Sequence, residues 1–236
     1  MAEPTLHVLR VFTDERGQHG NPLGVVLDGA AIPEPERRQA VAAELGYAET
    51  VFVDDAATAR LRIYTPSVEL RLAGHPLVGT SWLLRREGIR TRTLRPPAGE
   101  VPTGADADGA WIEADPADAP PFVLIEHATA EDVDGLAVPR GTDVHLDAWA
   151  WQDEDAGLVR SRVFADGVGV PEDEATGAAA LRLVAELDRA VTIRQGRGSI
   201  ITGEPVAGSR VRIAGRVVLD EVVPIRQRAG TALATA

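Results

Sequence analysis

Polar residues interrupt an apolar, valine-bearing run through Leu6-His7-Val8-Leu9-Arg10-Val11-Phe12, and this partial alternation with β-branched residues predicts a strand. A turn-rich stretch, TDERGQHGNP, follows, and then the apolar run LGVVL predicts a second strand. From Pro33 to Gly46 the pattern changes to that of a helix. Proline stands near its start, charges fill the first turns, Ala40, Val41 and Leu45 share one side, and Gly46 suits a C-cap. Thr50 to Val53 and Ala59 to Tyr64 predict further strands. The next helix, His75 to Arg86, opens on Pro76 and ends on basic residues with Gly88 beyond. Its middle, Leu77 to Leu84, is apolar or small almost all round, so the pattern predicts a central helix wrapped by strands.

Asp115 to Pro121 (DPADAPP) is dense in proline and acid and predicts a linker between an N-terminal lobe, 1–114, and a C-terminal lobe, 122–228. Beyond it come strands and a second small, apolar helix from Glu174 to Asp188. Short strands alternating with glycine turns fill the last third, and RQRAGTALATA at the C-terminus predicts a frayed tail.

The chain has 236 residues, enough for one large domain or two compact lobes, and 44% hydrophobic with 25% charged residues suits a soluble globular protein. A net charge of -12 argues against nucleic-acid or membrane-surface partners, which call for basic patches, and otherwise reads as solubility. With no cysteine, disulfides, thiolate metal sites and thiol nucleophiles are excluded. No apolar run reaches membrane-span length and MAEPTLHVLRVF lacks a signal-peptide pattern, so the expected location is the cytoplasm. His7, His19, His127 and His145 lack metal-ligand spacing, and no metal or cofactor is expected. Gly196 and Gly198 form a lone GxG without a following helix, a poor phosphate loop.

Two stretches resemble each other across the proposed linker. Arg62-Ile63-Tyr64-Thr65-Pro66 leads to His75 and Gly79-Thr80-Ser81, while Arg162-Val163-Phe164-Ala165-Asp166 leads to Asp173 and Gly177-Ala178-Ala179. Each copy has an Arg–β-branched–aromatic strand, a loop, and a polar residue four before a glycine in an apolar helix. Such a repeat predicts two lobes related by a pseudo-two-fold axis; chance similarity of two αβ segments is the alternative. Each lobe would then present a helix N-terminus, with its unpaired N–H groups and partial positive charge, to a small anion.

Six segments in order resemble the phenazine-biosynthesis PhzF-like isomerases, within the wider diaminopimelate-epimerase-like fold. They are Gly20-Asn21-Pro22-Leu23-Gly24-Val25-Val26, Glu49-Thr50-Val51-Phe52-Val53, Arg62 to Pro66, Gly74-His75-Pro76-Leu77-Val78-Gly79-Thr80, Glu172-Asp173-Glu174-Ala175-Thr176-Gly177, and Gln195-Gly196. The resemblance implies an α+β fold of two pseudo-symmetric lobes, each a β-barrel-like sheet wrapped around a central helix, with the active site between them and frequently a homodimer. It implies a cofactor-independent isomerase acting on a small cyclic or conjugated amino or carboxylic acid in secondary-metabolite, antibiotic or phenazine-like biosynthesis. Glu49 aligns with the family's catalytic glutamate and His75 and Asp173 with its polar partners. Gly74 and Gly177 align with backbone donors to a substrate carboxylate; Ala178 follows Gly177, and Asn21 lies in a loop near the cleft.

Elementary chemistry fits those roles. A proton shift beside a conjugated system needs a base with a pKa near working pH, and Glu49, beside Ala48 and the apolar run 51–53, is placed for desolvation to raise its own. The family commonly has serine where this chain has Ala48 and Ala178, so two hydroxyl donors are absent. Without cysteine, inversion by opposed thiols is impossible and a one-base shift is favoured; two-base work by Glu49 with Asp173 or His75 stays open. Each residue also has a plainer reading: an exposed strand carboxylate for Glu49, helix caps for His75 and Asp173, turn chemistry for Asn21-Pro22, and solvated charges for Glu172 and Glu174. A non-catalytic anion-binding protein, or a cofactor-free lyase or hydrolase, are the competing functions.

Overall fold

The computed structural model describes residues 4–168 and 170–225. The predicted tail lies outside them. Among the described residues fifteen strands and four α-helices follow in chain order. The first half has β1 (Thr5–Thr13), β2 (Asn21–Val26), α1 (Pro35–Leu45), β3 (Glu49–Asp55), β4 (Arg60–Tyr64), β5 (Glu69–Leu70), α2 (Gly74–Arg86), β6 (Thr93–Leu94), β7 (Val101–Ala105) and β8 (Gly109–Ala114). The second has β9 (Val123–Glu126), α3 (Ala130–Asp134), β10 (Leu146–Asp153), β11 (Leu158–Ala165), β12 (Val170–Asp173), α4 (Gly177–Leu187), β13 (Val191–Gln195), β14 (Ser199–Pro205) and β15 (Val211–Pro224).

These elements form two compact units, and the chain passes from one to the other after Val11, Asn21, Ala110 and Arg216. A single passage at 115–121 was expected. Instead residues 12–21 and 111–114 join the second unit and the chain from Val217 joins the first. Residues 115–121 are ordered in the second unit: the Asp115 side chain caps a 3-10 turn at Pro116–Asp118, Ser209 donates to Asp115, and Arg182 donates to the Ala119 carbonyl. Proline and acid there mark a capped turn rather than a linker.

Within the first unit, β2 pairs parallel with β3, β3 antiparallel with β4, and β4 antiparallel with β5. In the second, β9 pairs parallel with β10, β10 antiparallel with β11, and β11 antiparallel with β12. Both β-hairpins carry a register shift toward their turn, and in both the repeated arginine reaches a glutamate: Arg62 to Glu69, Arg162 to Glu172. The similar stretches therefore belong to two copies of one βαβββα arrangement, the internal repeat that the spacing predicts.

Each unit wraps a helix. All residues of α2 from Gly74 to Leu84 are buried, as their uniform apolarity requires. At Gly79 the helix comes so close to the strands that a Cβ would lie 2.5 Å from Leu23 Cδ2 and 2.8 Å from Val11 Cγ2. The second unit repeats the device with roles exchanged: glycine sits on the strand, where a Cβ at Gly203 of β14 would strike Val184 of α4. Helix α4 is buried along its first two turns and starts at Gly177, three residues later than its composition predicts. Residues 174–176 are held out of the helix by side chains of the β13–β14 turn, described below. Helix α1 ends as expected, on Gly46 at φ +66.

Candidate functional site

The first unit brings Glu49 and His75 together. Glu49 opens β3, opposite Leu23 in the parallel register, and the buried side chains of Val51, Phe52 and Val53 fasten the strand behind it. His75 is the second residue of α2, whose N-cap, Ala73, has no side chain able to cap. His75 Nε2 lies 3.1 Å from Glu49 Oε2, with the imidazole 5% and the carboxyl side chain 16% exposed. Glu49 is thus not the exposed strand carboxylate of its plainer reading.

Burial pushes the His75 imidazole down to about 3, against a hydrogen bond to the Pro22 carbonyl that works the other way. The ring is therefore neutral at ordinary pH, and the bond to Pro22 uses its only N–H. What it turns toward Glu49 is a lone pair. At 3.1 Å the carboxyl and the imidazole stand in direct reach of one another. A carboxyl held beside a fixed, neutral imidazole is placed to act as a general acid or base.

Asp173, Asn21, Gly177 and Ala178 belong to the second unit. Asn21, expected in a turn, opens β2 as a buried residue, and its Nδ2 donates to Asp173 Oδ1 at 2.7 Å and to the Ala175 carbonyl at 2.9 Å. Both amide hydrogens are thereby engaged. Thr176 Oγ1 donates to Asp173 Oδ2 at 2.6 Å. Burial pushes Asp173 up to about 6 despite these donors and the Ala175 amide, with the charge of Glu174 adding to the rise. Because Thr176, the N-cap of α4, spends its hydroxyl on Asp173, no side chain caps the helix; Gly177 is buried and Ala178 half-buried at its first two positions.

Glu172 and Glu174 are not solvated charges. Glu172 holds Arg162 by two hydrogen bonds of 2.8 and 2.7 Å. Glu174 accepts from Ser199 Oγ, from the Arg197 amide and from Arg197 Nε. Two buried groups escaped the sequence reading altogether. Gln195, whose motif gave it no role of its own, is 1% exposed and sits among residues 173–176. Asp147 on β10 is 1% exposed, accepts from Ser161 Oγ at 2.6 Å, and is pushed up to about 6 by burial. Its signal was an acid in phase with Trp149 on a strand of buried residues. The repeat also assigns a counterpart to Glu49: it precedes the Thr50–Tyr64 pair as His145 precedes Leu146–Phe164, and that imidazole leans on Phe122 with ring centroids 5.3 Å apart.

Among the described residues no group of three or more His, Asp or Glu side chains is placed to hold a metal ion, and no helix is long and apolar enough to cross a membrane.

The architecture is an α+β fold shared with solved PhzF-family and epimerase structures. A PhzF-family phenazine biosynthesis protein from Enterococcus faecalis superposes with a TM-score of 0.77 over 94% of this chain and 98% of that one, at 18% identity. A hydroxyproline epimerase from Agrobacterium vitis, solved with trans-4-hydroxy-L-proline, does so at 0.60 over 93% and 91%, at 13% identity. At the level of sequence, the phenazine biosynthesis-like protein family (PhzC-PhzF) matches residues 9–137, and the chain belongs to that family. Curated relatives align over shorter stretches. An uncharacterized isomerase of Bacillus subtilis is 35% identical over 108 residues, 43% of this chain and 36% of the relative. The trans-2,3-dihydro-3-hydroxyanthranilate isomerase of Pseudomonas aeruginosa is 39% identical over 99 residues, 40% of this chain and 35% of that protein. The matched stretch thus spans about a third of either relative's length.

Proposed function

We propose that this protein is a cofactor-independent isomerase that moves a proton on a small cyclic or conjugated amino or carboxylic acid, with Glu49 as the acid–base group. The observation that carries the reading is the 3.1 Å approach of Glu49 to the neutral, buried imidazole of His75. Family membership supports the reaction class, since the family match spans Glu49 and His75 and similar curated proteins are named isomerases. Such a base contributes about 10²–10⁴-fold, and the remainder comes from positioning and charge stabilisation. In this reading the amide of Gly74 at the start of α2, and separately those of Gly177 and Ala178 at the start of α4, are each candidate donors to a carboxylate, and Asp173 with its Asn21 partner is a candidate contact for polar groups. The enzyme works in secondary-metabolite biosynthesis as a homodimer.

The test is incubation in D₂O with trans-2,3-dihydro-3-hydroxyanthranilate and related dienyl amino acids, followed by NMR and mass spectrometry. Wild type is expected to take up deuterium and shift the double bonds, and Glu49→Gln to lose this by at least a hundredfold. Equal exchange in Glu49→Gln refutes the assignment. Binding without exchange in wild type favours a non-catalytic anion-binding protein, a reading that the missing hydroxyls at Ala48 and Ala178 support. Loss of mass in the product would indicate a lyase.

A further inference from the structure

We infer that Gln195 is a positioning residue that holds Asp173 and the start of α4 in one arrangement through Thr176. Gln195 ends β13 and is 1% exposed. Its Oε1 accepts from the Thr176 amide at 3.0 Å, and its Nε2 donates to the Asp173 carbonyl at 2.9 Å and to Thr176 Oγ1 at 2.8 Å. One side-chain amide thereby does for residues 173–176 what a neighbouring strand's peptide group would do, supplying a donor and an acceptor to opposite ends of a short segment. No other side chain of this reach offers both: glutamate cannot donate, lysine cannot accept, and methionine does neither.

The contact has a direction. Because Nε2 donates to Thr176 Oγ1, the threonine's own hydrogen is left to point at Asp173 Oδ2, and it does so at 2.6 Å. Gln195 therefore decides what the Asp173 carboxylate receives without touching it. The surrounding turn is built to keep it there. Gly196, at φ +58, lies so close to Glu174 that a Cβ would be 2.6 Å from the Glu174 carbonyl oxygen, and Arg197 and Ser199 bind the Glu174 carboxylate. Ser199 Oγ in turn accepts from the Gly20 amide, next to Asn21, the other donor to Asp173. A single β-turn thus governs both hydroxyl and amide donors of one half-buried acid, and the N–H groups that follow it.

The role of this arrangement in turnover rests on the isomerase reading; the arrangement itself does not, and the experiment separates the two. The Asp173 carboxyl is followed by ¹³C NMR titration of the full chain, assigned with Asp173→Asn, in wild type, Gln195→Glu, Thr176→Val and the double variant. Gln195→Glu keeps the size but replaces the NH₂ by oxygen, so the Thr176 hydroxyl turns to the new carboxylate and Asp173 loses a donor. Its titration is expected to rise by about one pH unit. Thr176→Val, which leaves Gln195 in place, is expected to raise it similarly, and the double variant to add less than the sum because both act through one hydroxyl. An unchanged titration in Gln195→Glu, or fully additive effects, overturns the proposal. Should Gln195→Glu fail to fold, Gln195→Met replaces it, and there the Asp173 titration is expected to broaden and shift upward; a wild-type curve in that variant is equally fatal. With an isomerisable substrate, Gln195→Glu is expected to lower kcat at least tenfold while KM changes less than threefold. A shifted titration with unchanged kcat would uphold the positioning and refute the catalytic role given to Asp173.

Discussion

Asp147 should make the protein less stable as the solution becomes more alkaline, and replacing it by asparagine should remove that dependence. The carboxyl is buried against Ser161, and burial raises it from 3.8 to about 6. A folded-state value above the unfolded one means that the native state binds more protons between the two. The stabilisation is complete below about pH 4 and is lost as pH rises through about 6. At about 1.4 kcal/mol per unit, the full effect is about 3 kcal/mol, of which about 2 kcal/mol falls between about pH 4.5 and pH 8. Asparagine fits the same space and can accept from Ser161, but does not titrate. Any constant cost of its extra N–H groups is the same at every pH, so only the change in the difference between variant and wild type matters. Urea unfolding, followed by the fluorescence of Trp149, which stands opposite Ser161 in the sheet, gives that difference at each pH. Relative to wild type, Asp147→Asn should gain about 2 kcal/mol on going from about pH 4.5 to pH 8. A difference that stays flat across that range would show that Asp147 is solvated or compensated, and the reading of a costly buried acid would fall.

His75 gives the opposite slope. Its folded-state value lies below the unfolded one, so stability present above about pH 6.5 is lost as pH falls toward about 3, by up to roughly 4–5 kcal/mol, and His75→Gln should flatten acid unfolding measured by circular dichroism. Gly79→Ala should destabilise by about 1–3 kcal/mol in spite of alanine's better helix propensity, since its methyl group collides with Leu23 and Val11; an unchanged thermal midpoint would mean that α2 can move away from the strands. Arg162 donates to the carbonyls of Val133, Asp134 and Leu136 at the end of α3 as well as to Glu172. Arg162→Lys should therefore cost about 2–3 kcal/mol and speed amide exchange over residues 130–136, because an ammonium cannot span four acceptors.

Much of this arrangement was legible in the sequence, and the parts that were not share a cause. The wrapped helix α2 could be read because eleven consecutive buried positions leave no polar stripe. The repeat could be read because Arg62 and Arg162 each keep an aromatic neighbour two residues on, and His75 and Asp173 each stand four before a helix glycine. Glu49 and His75 were paired by motif, and the structure adds the 3.1 Å distance and the neutral state of the ring. Hidden were the contacts made by side chains far apart in the chain: Asn21 to Asp173, Gln195 to Thr176, Ser199 to Glu174. Local pattern carries the period of an element but not the identity of a distant hydrogen-bond partner. For that reason Glu174 looked solvated, the start of α4 was placed too early, and an internally capped turn at 115–118 looked like a linker.

The interleaved course of the chain also constrains how the molecule can be made. The second unit takes its first ten residues from 12–21 and its last from the first part of β15, up to Arg216; the first awaits Val217 onward, where Asp220 meets Arg10 by a two-pronged ion pair. Neither half of a nascent polypeptide holds all of one unit, so native closure must follow synthesis of nearly the whole chain. Cutting the gene at 115–121 should yield two fragments that stay unfolded apart and recover structure only when mixed.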